Sequence, residues 1–396
     1  MSNRLVQLEL FHLYLPFRGK FTHTADQRNG TDTVVAIALL ADGTVGFGEG
    51  VPCSDVTNET IESVFYNVGD TLAVSLERVE PKSFAELLDL ADQLPFTNEQ
   101  GQIINTARCC VELALLDAYG KYFGNSMSSL TGWLGFGGFA EGGGLEQVRV
   151  SGVLDGTNRR KLARRLRLMR LYGLRDFKLK MGCRNDQENL DFLYRRLKQA
   201  LRRQTVSLRV DANGMWDIDT AMAMSEKLTD YQVCCLEQPL AVDDRSHLFT
   251  LAELSEIPLM ADESLVSLED GQFLIENNLI DFFNIRISKN GGLLPALRLA
   301  EMAASDGLGY QLGAMVGESG ILTAAGRHFL QLVPGITFTE ISYGTFLLRE
   351  DIVDQQMRFG YQGRLRPLSR TGLGITVSRK KIAKFTAAPP RKIHLA

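Results

Sequence analysis

The chain is poor in cysteine, in long apolar runs and in excess positive charge, and each shortage excludes something. Six cysteines among 396 residues, with Cys109-Cys110 and Cys234-Cys235 adjacent and only Cys53 and Cys183 apart, do not make a disulfide framework. No run of about 18 apolar residues is present to span a bilayer. The opening Met-Ser-Asn-Arg-Leu-Val-Gln-Leu-Glu-Leu lacks the uninterrupted apolar core of a secretory signal. A reducing cytoplasm is the expected location, with no membrane partner. Lys and Arg total 43 against 47 Asp and Glu, a formal net charge of −4. That balance argues against nucleic acid as a partner, which would need a basic footprint. One stretch is locally basic: Arg159, Arg160, Lys161, Arg164, Arg165, Arg167 and Arg170, interleaved with Leu162, Leu166, Leu168 and Met169. Its helical spacing reads as the solvated face of an outer helix, in preference to a phosphate or membrane patch.

What is present is an α+β segment followed by a regular alternation. Leu5–Leu15, Val34–Leu40 and Val45–Gly50 read as strands, the last two joined at Ala41-Asp42-Gly43-Thr44 as a hairpin. Helical patterns follow at Glu59–Gly69, Phe84–Asp92 and Gln102–Tyr122, and the glycine-rich Gly132–Gly144 reads as a boundary or surface loop. From Val148 onward, short apolar runs alternate with amphipathic helices. The runs are Val148–Val153, Asp176–Lys180, Val206–Asp211, Val233–Glu237, Pro258–Asp262, Phe282–Ile287, Gly309–Gly313 and Ile336–Ile341. Eight β/α units in succession predict a closed (β/α)₈ barrel, which takes about 250 residues. Gly372–Val377 is expected to form one further strand.

Polar residues stand at the ends of successive expected strands: Lys178 and Lys180, Asp211 and Asn213, Glu237, Asp262 and Glu263, then Lys289. From Lys180 the steps to Asp211, Glu237, Asp262 and Lys289 are 31, 26, 25 and 27 residues, about one β/α unit each. All therefore converge on the C-terminal mouth, where this fold carries its chemistry. Asp211, Glu237 and Asp262 supply three hard oxygen ligands from consecutive strands, a set suited to Mg²⁺ or Mn²⁺. Lys180 precedes the trio and Lys289 follows it, so the two flank it. A lysine near a cation has its ammonium form disfavoured, which suits it to proton transfer. A single Asp or Glu before a turn is more often a helix cap; five such groups in register are not.

The motifs Lys-x-Lys, Asp-x-Asn, Glu-Gln-Pro, Asp-Glu-Ser and Lys-x-Gly-Gly, in this order, resemble the enolase superfamily and within it the muconate-lactonizing-enzyme subgroup. The resemblance covers nearly the whole chain, to the closing Leu347-Leu348-Arg349-Glu350-Asp351-Ile352. It implies an N-terminal α+β capping domain at residues 1–140, the barrel at 147–365, and a segment 366–396 returning to the capping domain. It implies that Asp211, Glu237 and Asp262 bind the metal, that Lys180 and Lys289 are the acid–base pair, and that Lys178 assists electrostatically. Lys or His bases with one or two Mg²⁺ ions are known for enolase-superfamily sites. The implied activity is removal of a proton α to a carboxylate through an enediolate, in a muconate-cycloisomerase-like isomerase or lyase. An o-succinylbenzoate synthase or an amino-acid racemase or epimerase uses the same groups. Substrate contacts are expected from Asn213, from Glu318, and from capping loops at Phe17–Arg28, with His23 and Arg28, and Glu49–Val56, with Cys53. By analogy the assembly is a homo-oligomer acting on a small carboxylate.

Two departures stand out. The seventh strand is followed by Val316-Gly317-Glu318, with the glutamate one residue later than the subgroup commonly has it. No Asp-x-Asp follows the eighth strand, only Thr339-Glu340-Ile341, which lowers a dipeptide substrate. Two readings from other classes compete: a Schiff-base aldolase, because a strand-end lysine can act as a nucleophile, and a barrel that only binds.

Overall fold

A computed structural model describes residues 2–23, 26–130, 144–156, 158–182 and 185–395, with backbone alone at 20–23, 26 and 27. All but the last residue of the Gly132–Gly144 stretch, and Cys183, lie outside the described residues.

The N-terminal part is an antiparallel sheet built from β1 (Leu5–His23), β2 (Asp26–Leu40) and β3 (Val45–Gly50), packed on the helix Asn105–Phe123. The β3 sequence Val-Gly-Phe-Gly-Glu-Gly explains that contact. A Cβ at Gly46 would lie 2.1 Å from the Ala114 carbonyl oxygen, one at Gly48 1.9 Å from that of Cys110, and one at Gly50 2.5 Å from that of Thr106. Alternate strand positions thus meet a helix at every fourth residue, and only glycine admits so close an approach. The helix is buried from Asn105 to Gly120 and ends at Gly124, whose φ of 73° provides a left-handed cap.

The Phe17–Arg28 segment is no irregular loop. It extends the β1–β2 ladder beyond a register shift, with Phe21 opposite Arg28 and His23 opposite Asp26. The strand expected at Gly372–Val377 is also absent. Gly372 and Gly374 have φ of 62° and 72°, which breaks an extended run, and only isolated bridges to Ser126 and Val353 form there. The chain rejoins the first sheet later, through β12 (Arg391–His394) beside β1.

The barrel strands are β4 (Gly152–Asp155), β5 (Asp176–Lys180), β6 (Ser207–Asp211), β7 (Leu236–Glu237), β8 (Leu259–Ala261), β9 (Phe282–Ile285), β10 (Gly309–Leu312) and β11 (Phe338–Thr339). Among the described residues these eight pair in order, each parallel to the next. A parallel bridge between Val150 and Thr339, with a Ser151 N–H to Thr339 O bond of 2.8 Å, joins the last strand to the first and closes the barrel. Amphipathic helices such as Asp186–Arg202, with Leu190, Leu193, Leu197 and Leu201 buried, cover the outside.

Two carboxylates of the N-terminal domain seat it on the barrel. Glu49 accepts from Ser319 N (2.9 Å), Ser319 Oγ (2.7 Å) and Leu322 N (3.1 Å) at the start of the helix Gly320–Leu332. Glu112 accepts from Leu293 N and Leu294 N at the start of the helix Leu293–Ser305 and pairs with Arg108 at 2.7 Å. Both satisfy N–H groups a helix leaves unpaired, where its dipole favours negative charge.

Gly48→Ala should therefore destabilise the chain by about 1–3 kcal/mol, the usual cost of overpacking, measured by denaturant unfolding; Gly43→Ala, where added atoms meet open space, serves to separate backbone strain from crowding.

Candidate active site

Inward side chains of a closed barrel stack in layers drawn from alternate strands. In the upper part of this barrel one layer is wholly polar: Lys178 on β5, Glu237 on β7, Asn284 on β9 and Glu340 just past β11. Lys178 Nζ lies 3.0 Å from Glu237 Oε1 and 2.8 Å from Glu340 Oε2, and Asn284 donates to Glu237 Oε1 at 2.8 Å. Asp211 Oδ2, from β6, is 3.2 Å from the same ammonium. Beneath, Arg209 donates to Glu340 at 2.7 Å and stacks 3.9 Å over the Phe338 ring. Burial alone would discharge Lys178, but Glu237, Glu340 and Asp211 together outweigh it and hold its pKa above the ordinary lysine range. Burial raises Asp211, yet Lys178, Lys180 and Arg286 more than reverse this, bringing it to about 2.

Two residues nearer the mouth, the same alternation brings Lys180 from β5 and Arg286 from the end of β9. Lys180 Nζ bonds Asn213 Oδ1 at 3.2 Å and sits 3.8 Å from Asp211 Oδ2. Asn213 adopts a φ of 48° and donates its N–H to Asp211 Oδ1, so one turn orients both groups. Burial, reinforced by Lys178 and Arg286, lowers the Lys180 pKa against the pull of Asp211. Above this layer opens a cavity of about 590 Å³, within the size range of small-molecule sites. Lys178, Lys180, Arg286 and Glu340, with the ion-paired Asp155 and Arg165, give it charged lining, and Leu168, Met169, Tyr172, Tyr343, Phe346 and Phe359 supply aromatic and apolar surface. Leu168 and Met169 belong to the basic helix Arg159–Leu171, whose Leu162 and Leu166 are buried inward.

Two family models match this architecture, one described as "Mandelate racemase / muconate lactonizing enzyme, N-terminal domain" over residues 14–132 and one as "Enolase C-terminal domain-like" over 161–381. The chain belongs to the mandelate racemase / muconate lactonizing enzyme family. It is similar to muconate cycloisomerase 1 of Pseudomonas putida, 30% identical over 90% of this chain and 91% of the relative. It is also similar to the N-succinyl-L-Arg/Lys racemase of Bacillus cereus, 26% identical over 97% of this chain and 98% of the relative. The solved muconate lactonizing enzyme from Pseudomonas putida superposes with a TM-score of 0.80 at 28% identity, covering 96% of this chain and 99% of that one.

Against that family background the expected site residues fall into two groups. Lys178, Lys180, Asp211, Asn213, Glu237 and Asp262 come together at the mouth. Asp262 is held by Lys289 Nζ at 3.0 Å on Oδ1 and by the Arg286 guanidinium on Oδ2. The donor chemistry of this region fits a hard divalent cation. Among the described residues, Glu263 Oε2, on the residue after Asp262, is buried without a hydrogen-bond donor, and Asp211 Oδ2 faces only the ammonium groups of Lys178 at 3.2 Å and Lys180 at 3.8 Å. Lys178, however, is paired with Asp211 and Glu237 and Arg286 with Asp262, and among the described residues no three acidic, histidine or cysteine side chains close on one point.

Lys289, Glu318 and Arg28 do not line the cavity. Lys289 was expected to face Lys180 across the metal. It is instead fully buried three residues past Arg286, in the turn after β9, with Nζ donating to Asp262 O (2.6 Å), Asp262 Oδ1 (3.0 Å) and Asn284 O (2.8 Å). The Ile287–Asn290 turn carries it out of the strand's alternation. Glu318 folds back onto its own loop, accepting from Met315 N at 2.6 Å. Arg28 is exposed on the β2 side of the hairpin, and the side chain of His23 lies outside the described residues. Strand-end reading missed Arg286, Asn284, Glu340 and Gln311; the signal for the first two was the alternate-residue pattern Asn284-Ile285-Arg286.

Lys289→Met should remove the donor that Asp262 O, Asp262 Oδ1 and Asn284 O share and cost about 3 kcal/mol in urea unfolding, the scale of a broken buried pair. Burial raises the Glu318 carboxyl to about 8, with Glu49 adding to it. Such a group stabilises fully below its unfolded pKa of about 4.5 and loses that contribution as pH climbs through 8. Glu318→Gln should accordingly flatten the decline in stability between pH 5 and 8 by up to one proton's worth of slope; an unchanged slope would contradict this assignment.

Proposed function

We propose that the chain is an enzyme that removes a proton α to a carboxylate, a muconate-cycloisomerase-like isomerase or lyase in which Lys180 is the base. The observation that carries this reading is Lys180 itself: a lysine with lowered pKa, aimed into a cavity beside a buried cluster of carboxylates. Asp211, Glu237 and Asp262 would hold Mg²⁺ or Mn²⁺, which when bound supplies Lewis-acid stabilisation of the charge developing on the substrate carboxylate.

The chain's own groups do the rest. Lys180 receives the α-proton, and Asn213 keeps its Nζ pointed into the cavity. Lys178, permanently charged and immobilised by three carboxylates, contributes a fixed positive field at the end of the cavity where the enediolate forms, without reorganisation during the reaction. The aromatic wall excludes water and accommodates an apolar or aromatic portion of the substrate. Similarity to an N-succinyl-L-Arg/Lys racemase over 97% of this chain supports amino-acid racemisation or epimerisation as the second reading. A small-molecule carboxylate is the partner, and the net charge of −4 supports no nucleic-acid role. The free cysteines among the described residues support a reducing, cytoplasmic setting, and a homo-oligomer follows by analogy with such barrels.

The test is α-proton exchange in D₂O followed by NMR over muconates, cyclohexadiene carboxylates and N-acyl amino acids. Exchange or turnover should require Mg²⁺ or Mn²⁺, vanish on exhaustive chelation and return on readdition. Lys180→Ala should lower it by about 10²–10⁴-fold. Full activity without a divalent cation, or trapping of a borohydride-stable adduct on Lys180, would reject this reading and favour Schiff-base chemistry.

A further inference from the structure

The barrel geometry places an arginine where a second base would have to stand. β5 is the second of the eight barrel strands and β9 the sixth, so side chains on them in one layer face each other across the axis. Lys178 and Asn284 belong to one such layer, linked through Glu237. Two residues further along each strand stand Lys180 and Arg286, and both line the cavity. Gly313, after β10, leaves room for this arrangement: a Cβ there would meet Asn284 Oδ1 at 2.4 Å and Arg286 Cγ at 3.0 Å. The Ser288 hydroxyl accepts from Val51 N at 3.0 Å, so the turn bearing Arg286 is clamped under the N-terminal domain.

We propose that Arg286 meets the substrate on the face opposite Lys180 as a permanent cation, so that this enzyme performs one-base chemistry and does not invert the α-carbon. The inference rests on the proton-abstraction reading above and narrows its substrate class. A guanidinium stays protonated throughout the working pH range, so it cannot receive a carbon-bound proton. It can bind an anion. Arg286 spends one Nη on Asp262, and its buried Nε–H has no acceptor. A second anionic group on the substrate, such as the distal carboxylate of a dicarboxylate, fits that donor fork.

The reaction then balances on one side of the substrate. The α C–H bond breaks, its proton passes to the neutral Lys180 amine, and the electron pair enters the carboxylate system. The same ammonium returns the proton to a substrate carbon or to a departing group on the same face. In the ring closure of an unsaturated dicarboxylate, the distal carboxylate oxygen bonds to the β-carbon, the C=C electron pair moves into the other carboxylate, and the Lys180 ammonium gives its proton to the α-carbon; ring opening reverses each of these bond changes. Racemisation would require a second acceptor across the ring of strands. Lys289 does not provide one, because its three N–H directions end on Asp262 O, Asp262 Oδ1 and Asn284 O.

Two measurements test the proposal on the full chain with Mg²⁺ present. The first is competitive trinitrophenylation with peptide mapping, which needs no substrate. Lys180 should label alongside exposed lysines such as Lys384 and Lys392, Lys289 should stay at least ten-fold slower than Lys180 until the protein is unfolded, and Arg286→Lys should add a labelled site at position 286 that reacts about as fast as Lys180. Lys289 labelling as fast as Lys180 in the folded protein would overturn the proposal. The second uses the two enantiomers of N-succinyl-arginine and cis,cis-muconate as probes in D₂O. Wild type should exchange one enantiomer at least ten-fold faster than the other without interconverting them, or turn over muconate alone. Arg286→Lys should raise exchange of the slower enantiomer, and Arg286→Gln should raise KM for muconate more than it lowers kcat. Racemisation by wild type, with the opposite-face exchange surviving in Lys180→Ala, would refute one-base chemistry. If none of the probes reacts, that result counts against the proton-abstraction reading, and the labelling pattern alone decides the assignment of Arg286.

Discussion

A single ammonium group organises the reactive end of this barrel. Lys178 Nζ lies within 3.2 Å of carboxylate oxygens from Asp211, Glu237 and Glu340, residues carried by three different strands. These charges are almost wholly withdrawn from water, so the carboxylates depend on buried cations to offset their desolvation. Arg209 supplies a second buried cation against Glu340, and Asn284 and Gln311 complete the coordination of Glu237. The cluster therefore fixes side-chain orientation across the barrel interior and sets the potential felt by Lys180 one layer above.

That potential is uneven. Lys180 borders Asp211 on its own side of the barrel, whereas Arg286 leans on Asp262 on the other. Both groups are cationic residue types, but only one of them exchanges protons under ordinary conditions. The chemical asymmetry of the cavity follows from this difference, and so does the distinction between a site that transfers a proton on one face and a site that passes it through.

The N-terminal domain is bound to the barrel by charge as well as by apolar contact. Glu49 and Glu112 insert into the N-terminal ends of the helices that follow β10 and β9. The loops they immobilise are those that carry Glu318 and, through Val51 and Ser288, the turn beyond Arg286. Burial pushes the Glu49 carboxyl up to about 7 even with Ser319 and Leu322 donating to it, so desolvation opposes its charge at the seam between the two parts.

Much of this was readable along the chain. Eight apolar runs at the spacing of a β/α unit specify a closed parallel barrel, because period-two strands joined by amphipathic helices have few other ways to bury both faces. The same spacing brings Lys178, Lys180, Asp211, Glu237 and Asp262 to one mouth, since strand ends in a barrel share a height. What linear order does not contain is direction. Lys289 follows β9 as Lys180 closes β5, yet a four-residue turn rotates it into the protein, where three acceptors claim its protons. Arg286, three residues earlier and still on the strand's alternation, takes the place across the cavity. The Phe17–Arg28 segment reads as a polar loop but pairs as a hairpin, and Gly372–Val377 reads as a strand but breaks at two left-handed glycines. Sequence pattern determined the architecture and the inventory of charged groups, because periodicity and spacing are local properties. Tertiary structure decided which of those groups face the cavity, because that depends on strand register across the barrel and on buried hydrogen-bond partners supplied by distant parts of the chain.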